Sequence, residues 1–192
     1  MSQNILKNKS SQIDLSVYIK SFLLLMKPRV MSLVLFTAMV GLLVAPVTVS
    51  FTTASLSLLA VAIGSGAAGA LNMWYESDVD ALMSRTCLRP IPTGKIKREQ
   101  ALLFGIILSF ISIVMLYLSS NLISAILLAA TISFYFFIYT IWLKRKTAQN
   151  IVIGGAAGAI PPIIGWTAVS PEISFLPISM FLIIFFAKTI LL

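Results

Sequence analysis

Charge is what this sequence has least of. Of its 192 residues only 10% are Asp, Glu, Lys or Arg, while 59% are hydrophobic. A soluble domain carries about 25% charged residues. This chain cannot cover a water-facing surface, so its solvent is largely lipid. Histidine is absent, which excludes histidine metal sites, Ser–His catalysis and histidine haem ligation. The single cysteine, Cys87, excludes an internal disulfide and leaves the redox compartment unreadable. The same composition excludes disorder, a disulfide-rich secreted scaffold and a coiled coil.

Long apolar runs are what is present instead. A spanning helix needs about 20 mostly apolar residues. Six stretches meet that length: Val30–Val49, Ala54–Trp74, Ala101–Leu118, Leu122–Trp142, Ile151–Val169 and Phe175–Leu191. Backbone groups inside lipid must satisfy one another, so the predicted fold class is all-α, a polytopic transmembrane helix bundle. The charges set its direction. Lys7, Lys9, Lys20, Lys27 and Arg29 precede the first run, and Arg85, Arg89, Lys95, Lys97 and Arg98 follow the second. Lys144, Arg145 and Lys146 follow the fourth, and Lys188 ends the sixth. With alternating crossings all fourteen basic residues fall on one side. The loops at 50–53, 119–121 and 170–174 carry no Lys or Arg. The positive-inside rule makes the basic side, with the N-terminus, cytoplasmic. The net charge of +8 is then topology, and no nucleic-acid partner is expected. Residues 1–28 read as a cytoplasmic tail with an amphipathic stretch over Leu15–Met26, and residues 29–192 as the transmembrane domain.

Chemistry concentrates at the cytoplasmic end of the second run. Three of the six acidic residues, Glu76, Asp78 and Asp80, lie within five positions. At helical spacing Asn72, Glu76 and Asp80 form one stripe about 12 Å long. Asp78 lies off it and reads as a solvated or capping carboxylate. One amide and two carboxylates make an oxygen-ligand set suited to Mg²⁺, which commonly binds one or two carboxylates, several waters and a substrate phosphate. The plainer reading is a helix ending in water. Asn72 weakens it, because it continues the apolar run Leu58–Leu71 and a polar group at that depth normally faces a cavity or another helix.

Basic residues follow closely. Arg85 and Arg89 share a face if the helix continues, Pro90 and Pro92 end it, and Lys95 lies beyond. Acidic ligands with arginines beside them suggest a metal–diphosphate site. Lys97 and Arg98 read as topological anchors. Lys144 or Arg145 emerges on the same side within reach of the same diphosphate, with Tyr139 and Asn150 as candidate cavity residues. Gly154 and Gly158 offer a small-residue packing face, as do Gly64, Gly66 and Gly69. Pro161 and Pro162 should kink the fifth run. A small transporter or channel whose acidic stripe binds a cation remains an alternative, though acids gathered at one helix end argue against a through-path.

The stripe Asn72-x-x-x-Glu76-x-x-x-Asp80, followed by Arg85-Thr86-x-x-Arg89-Pro90-x-Pro92-x-Gly94, resembles the first acidic motif of the UbiA family of intramembrane prenyltransferases. Three blocks, KPRVMSLVLFT, NMWYESDVDALMSRTCLRPIPTGKI and YTIWLKRKTAQNIVIGGAAGAIPPIIGW, resemble that family's haem-farnesylating branch, and the likeness runs from about Leu23 to Phe186. The resemblance implies about nine spanning helices around a central cavity, in a bacterial inner membrane. It implies prenyl transfer from a diphosphate donor to an acceptor. In this branch farnesyl diphosphate would alkylate a vinyl group of haem B to give haem O. Asn72, Glu76 and Asp80 match the family's Mg²⁺–diphosphate positions, and Arg85 and Arg89 its basic ones. Many members carry Asp where this chain has Glu76. Another acceptor, a quinone precursor or chlorin, would fit the family as well. The family's second acidic motif lies in a later helix. Here the acid after Glu99 is Glu172, on the opposite side. The chain therefore reads as a shortened form without the second metal-binding half, which puts its own turnover in question.

Overall fold

A computed structural model describes residues 15–144, 146–147 and 149–190. Among these residues the regular elements are all helices. Helix α1 (Leu15–Leu25) meets α2 (Pro28–Val44) at a 51° bend. Helix α3 (Phe51–Tyr75) gives way at Glu76 to the short α4 (Ser77–Leu82). After a turn-rich loop come α5 (Arg98–Ser119) and α6 (Leu122–Ser133), the latter running on into a π-helical segment, Phe134–Leu143. Helices α7 (Asn150–Ala157), α8 (Pro161–Val169) and α9 (Phe175–Ile190) complete the order.

Four of the six predicted spans are long and apolar enough to cross a membrane: α3, α5, Leu122–Leu143 and Asn150–Val169. The first predicted span is one arm of the bent α1–α2 pair, which makes a fifth crossing if taken as one. The sixth is shorter, apolar over Phe175–Ala187. The helices are those of a multi-pass membrane protein. Of the expected tail, residues 1–14 lie outside the described residues, and the amphipathic stretch forms α1.

Local chemistry explains the breaks. Pro28 stands at the first position of α2, where its missing N–H and fixed φ suit a helix start. Lys27 before it adopts the left-handed conformation, with φ 53° and ψ 66°. Pro161 likewise opens α8 after the turn at 158–160, so the expected kink is a short break within the Asn150–Val169 span. The start of α3 is capped by Ser50 Oγ, which accepts the Thr53 N–H at 3.1 Å, and that of α6 by Asn121 Oδ1, which accepts the Ser124 N–H at 3.0 Å.

Helix α3 is the axis of the bundle. It is buried along most of Ser57–Met73 and packs most extensively on α5, while α2 packs most extensively on α8. Lipid offers no hydrophobic drive for helix association, so close approach through small residues takes its place. Gly64, Gly66, Ala67, Ala68, Gly69 and Ala70 give α3 that surface, and a Cβ at Gly69 would press on the Leu25 and Met26 carbonyls of the α1–α2 corner. The seam between α2 and α8 is tighter. A Cβ at Gly41 would overlap the Pro162 carbonyl, and one at Gly165 the Ala38 carbonyl. One apolar core joins Ala38, Val61, Leu116, Leu128, Ile132 and Ile164. At the far end Ser57 and Ser120 hydroxyls meet at 2.6 Å, and Asn121 Nδ2 donates to the Thr167 carbonyl at 2.6 Å. Leu103, Ile106, Ile107, Phe110 and Leu118 of α5 face outward, as a lipid-facing stripe should.

The seam makes a stability prediction. Gly41→Ala forces two backbones apart and should cost about 3 kcal/mol, the upper part of the overpacking range. Gly94→Ala, at φ 71° with nothing within 4 Å of its Cβ position, should cost only about 1 kcal/mol of left-handed strain. Thermal unfolding in detergent, followed by circular dichroism, should rank the two in that order.

Candidate active site

The helix break at Glu76 leaves the predicted stripe intact. Glu76 N–H donates to the Asn72 carbonyl at 3.1 Å, and Asp80 N–H to the Glu76 carbonyl at 2.8 Å. The four-residue spacing therefore carries through the junction. Asn72, Glu76 and Asp80 are all buried, at 1%, 8% and 4% exposure. Asp78 is exposed in the first turn of α4, as its solvated reading requires.

Each of the three side chains faces a cationic nitrogen. Lys27 Nζ donates to Asn72 Oδ1. Lys144 pairs with Glu76 Oε1. Arg89 Nη1 donates to both Asp80 oxygens, at 2.9 and 2.7 Å. That bond uses one nitrogen of a fork that carries five N–H donors. The groups form one electrostatic cluster: Lys27 senses the charges of Arg89, Glu76, Lys144 and Asp80. Lys27 stands at the bend between α1 and α2, within that crossing. Its left-handed backbone is a sparsely populated conformation for a residue with a Cβ, and it is the corner from which the lysine reaches α3.

The loop after α4 delivers Arg89. Helix α4 ends at Leu82, so the face that would align Arg85 with Arg89 does not form. Instead Thr86, buried, donates to the Asp80 carbonyl at 3.1 Å, and Arg89 N–H donates to the Thr86 carbonyl at 3.0 Å. Buried Ile96 anchors the loop in a second core with Leu25, Ala70, Met73 and Ala101. Arg85 and Lys95 lie exposed on this loop, outside the cluster. Arg98 sits over the Trp74 ring at 5.4 Å, in keeping with an anchoring role. Arg145 lies outside the described residues. The Tyr139 ring lies 5.0 Å from that of Tyr135, tilted by 34°, and beneath Lys144 Nζ at 5.8 Å. Asn150 Nδ2 donates to the Lys144 carbonyl at 3.3 Å, which ties the start of α7 to the end of the π-helical segment.

Three residues at the site escaped sequence reasoning. Lys27 reads as one more topological charge, although the proline after it marks the corner. Tyr135 and Thr140 lie in an apolar aromatic run whose pattern gives no sign of π-helical winding.

Beneath the cluster lies an apolar cavity with about 650 Å³ of empty space, part of it open to the outside. Val34, Val61, Ala68, Leu128, Ile132 and Ile164 line it, with Lys27 and Tyr135 also on its wall. Lys27 therefore belongs to both compartments: it lines the cavity and it donates to Asn72.

The donor set fits a hard cation. Every ligand side chain already presents oxygen to a positive group. Among the described residues no group of three or more His, Cys, Asp or Glu could hold a metal. The stripe itself presents two carboxylates and an amide, oxygen donors of the type a hard cation takes, each facing Lys27, Lys144 or Arg89.

Removing one partner from a buried ion pair costs more than the pair contributes. Asp80→Asn should therefore destabilise the protein by about 3 kcal/mol by stranding Arg89. Adding Arg89→Gln should restore much of that loss, as a shift in detergent melting temperature.

The profile of the UbiA prenyltransferase family matches residues 34–192. Over 187 residues the chain is 62% identical to a protein of Pelagibacter ubique named protoheme IX farnesyltransferase, covering 97% of this chain and 61% of that one. It is 58% identical over 164 residues to protoheme IX farnesyltransferase 2 of Mesorhizobium japonicum, covering 85% and 52%. It is 52% identical over 180 residues to a protoheme IX farnesyltransferase of Ehrlichia ruminantium, covering 94% and 61%. The chain thus spans between half and three-fifths of the length of these relatives. No solved structure matches it.

Proposed function

Because the chain belongs to the UbiA prenyltransferase family, we propose that its buried cluster holds the diphosphate of farnesyl diphosphate and that the acceptor is a vinyl group of haem B, giving haem O. The observation that carries this reading is the double position of Lys27. A cavity with apolar walls opens onto a cluster of cations and oxygen ligands, which suits a molecule with a fatty tail and an anionic head. The names of the relatives support the choice of farnesyl donor and haem acceptor. The basic side, with the N-terminus, faces the cytoplasm in this reading.

Asn72, Glu76 and Asp80 would hold a Mg²⁺ ion, which when bound would offset negative charge on a diphosphate. The rest falls to the chain's own side chains. Lys27, Arg89 and Lys144 now neutralise the ligand oxygens. With substrate present they turn to phosphate oxygens, as preorganised cations aimed at developing charge. Breaking the C–O bond leaves an allylic cation in the cavity, whose apolar wall excludes the water that would quench it. The electron-rich vinyl carbon attacks C1 of the farnesyl group, and water then adds to the resulting haem cation and loses a proton to the released diphosphate, which completes the hydroxyethyl group. No protein nucleophile is needed, which agrees with a chain that has no histidine and one cysteine.

The test is formation of haem O from haem B and farnesyl diphosphate in membranes that contain the chain, run beside a full-length relative. Replacing the counterparts of Glu76 and Asp80 in that relative by Gln and Asn should lower Mg²⁺-dependent diphosphate release by about 100-fold or more, with membrane insertion retained. Unchanged release at unchanged Mg²⁺ dependence would remove these residues from the site. Diphosphate release with no haem product would move the acceptor to a quinone precursor or chlorin.

A further inference from the structure

Thr140 carries a hydroxyl for which the transfer chemistry has no use. It is fully buried in the π-helical segment, at 0% exposure. Its Oγ1 donates to the Tyr135 carbonyl at 2.8 Å, five residues back, and accepts from Asn72 Nδ2 at 3.2 Å. In an α-helix a threonine hydroxyl finds the carbonyl three or four residues back. The wider π turn places it on the fifth. Such turns recur at functional sites.

A hydroxyl has a single hydrogen. Here that hydrogen goes to Tyr135, so the hydroxyl can only accept from α3. An asparagine side chain must then turn its NH₂ toward Thr140 and its oxygen away. On the other side stands Lys27 Nζ, which has donors and no acceptor, and it meets Asn72 Oδ1. Both neighbours demand the same orientation of the amide.

We propose that Thr140 is a positioning residue that fixes the Asn72 amide with Oδ1 toward the cation site. This rests on the metal–diphosphate reading above. Orientation matters because the reversed amide would present N–H groups to a metal ion and repel it. The lysine cannot be the lasting guide: in that reading Lys27 leaves Oδ1 for a phosphate oxygen when substrate arrives. Thr140 is the constraint that stays. It acts as a partner behind a metal ligand, where substitutions typically cost 10- to 100-fold in metal affinity.

The experiment is Mn²⁺ binding to the 192-residue chain in detergent, with inorganic pyrophosphate present, read by electron paramagnetic resonance. Thr140→Val keeps the shape and removes both hydrogen bonds. It should weaken Mn²⁺ binding by about 10-fold or more, while Thr140→Ser should stay within about 2-fold. The decisive comparison repeats Thr140→Val in an Asn72→Asp background. A carboxylate presents oxygen whichever way it turns, so the loss there should shrink to within about 2-fold. An equal loss in both backgrounds would make Thr140 a packing residue and overturn the proposal, as would wild-type affinity in Thr140→Val. Failure of the unsubstituted chain to bind Mn²⁺ with pyrophosphate would overturn the metal–diphosphate reading, and this proposal with it.

Discussion

The structure depends on the pairing of oxygen with cationic nitrogen at the C-terminal end of the central helix α3. Two carboxylates and an amide are buried there, and a buried charge is tolerated only when it is paired and hydrogen-bonded. Three elements distant in sequence converge to meet that need: the corner before α2, the loop after α4 and the end of the π-helical segment. Among the described residues no buried side-chain nitrogen or oxygen lacks a hydrogen-bond partner. The site is therefore a closed polar network in which Lys27, Lys144 and Arg89 each satisfy one oxygen-bearing side chain of the stripe.

Lipid explains why the rest of the molecule is so plain. Apolar side chains gain little by leaving lipid for one another, so the bundle is organised by approach distance and by breaks in the helices. Glycine and alanine on α3 admit the α1–α2 corner, and the corner brings Lys27 to Asn72. At the break between α7 and α8, Ala157, Gly158 and Pro161 contribute to the cavity wall. Packing and site are one problem here: the residues that let helices come close also decide where the polar groups meet.

Much of this was legible in the residues. Hydropathy gave the helical class and most of the spans, because a membrane forces apolar runs to be helices. The stripe of Asn72, Glu76 and Asp80 was legible because four-residue spacing survives a one-residue helix break when the i to i+4 hydrogen bonds persist. Arg85 was misplaced for the opposite reason. Its alignment with Arg89 assumed a continuous helix, and α4 ends at Leu82. The π-helical winding was invisible, since a segment apolar on all sides shows no periodicity to measure. The role of Lys27 was hidden by its context, where any lysine before a span reads as a topological charge.

The seam between α2 and α8 carries one more consequence. Gly41 receives a carbonyl from α8, and Gly165 receives one from α2. Neither position has a side chain that could absorb a change at the other. Over evolutionary time the two sites should drift as a unit or not at all, since a larger residue at either one shifts a whole helix. Variation in the family's sequences at these two columns would then record the spacing of the helices, as a caliper does, and say nothing of the chemistry beyond them.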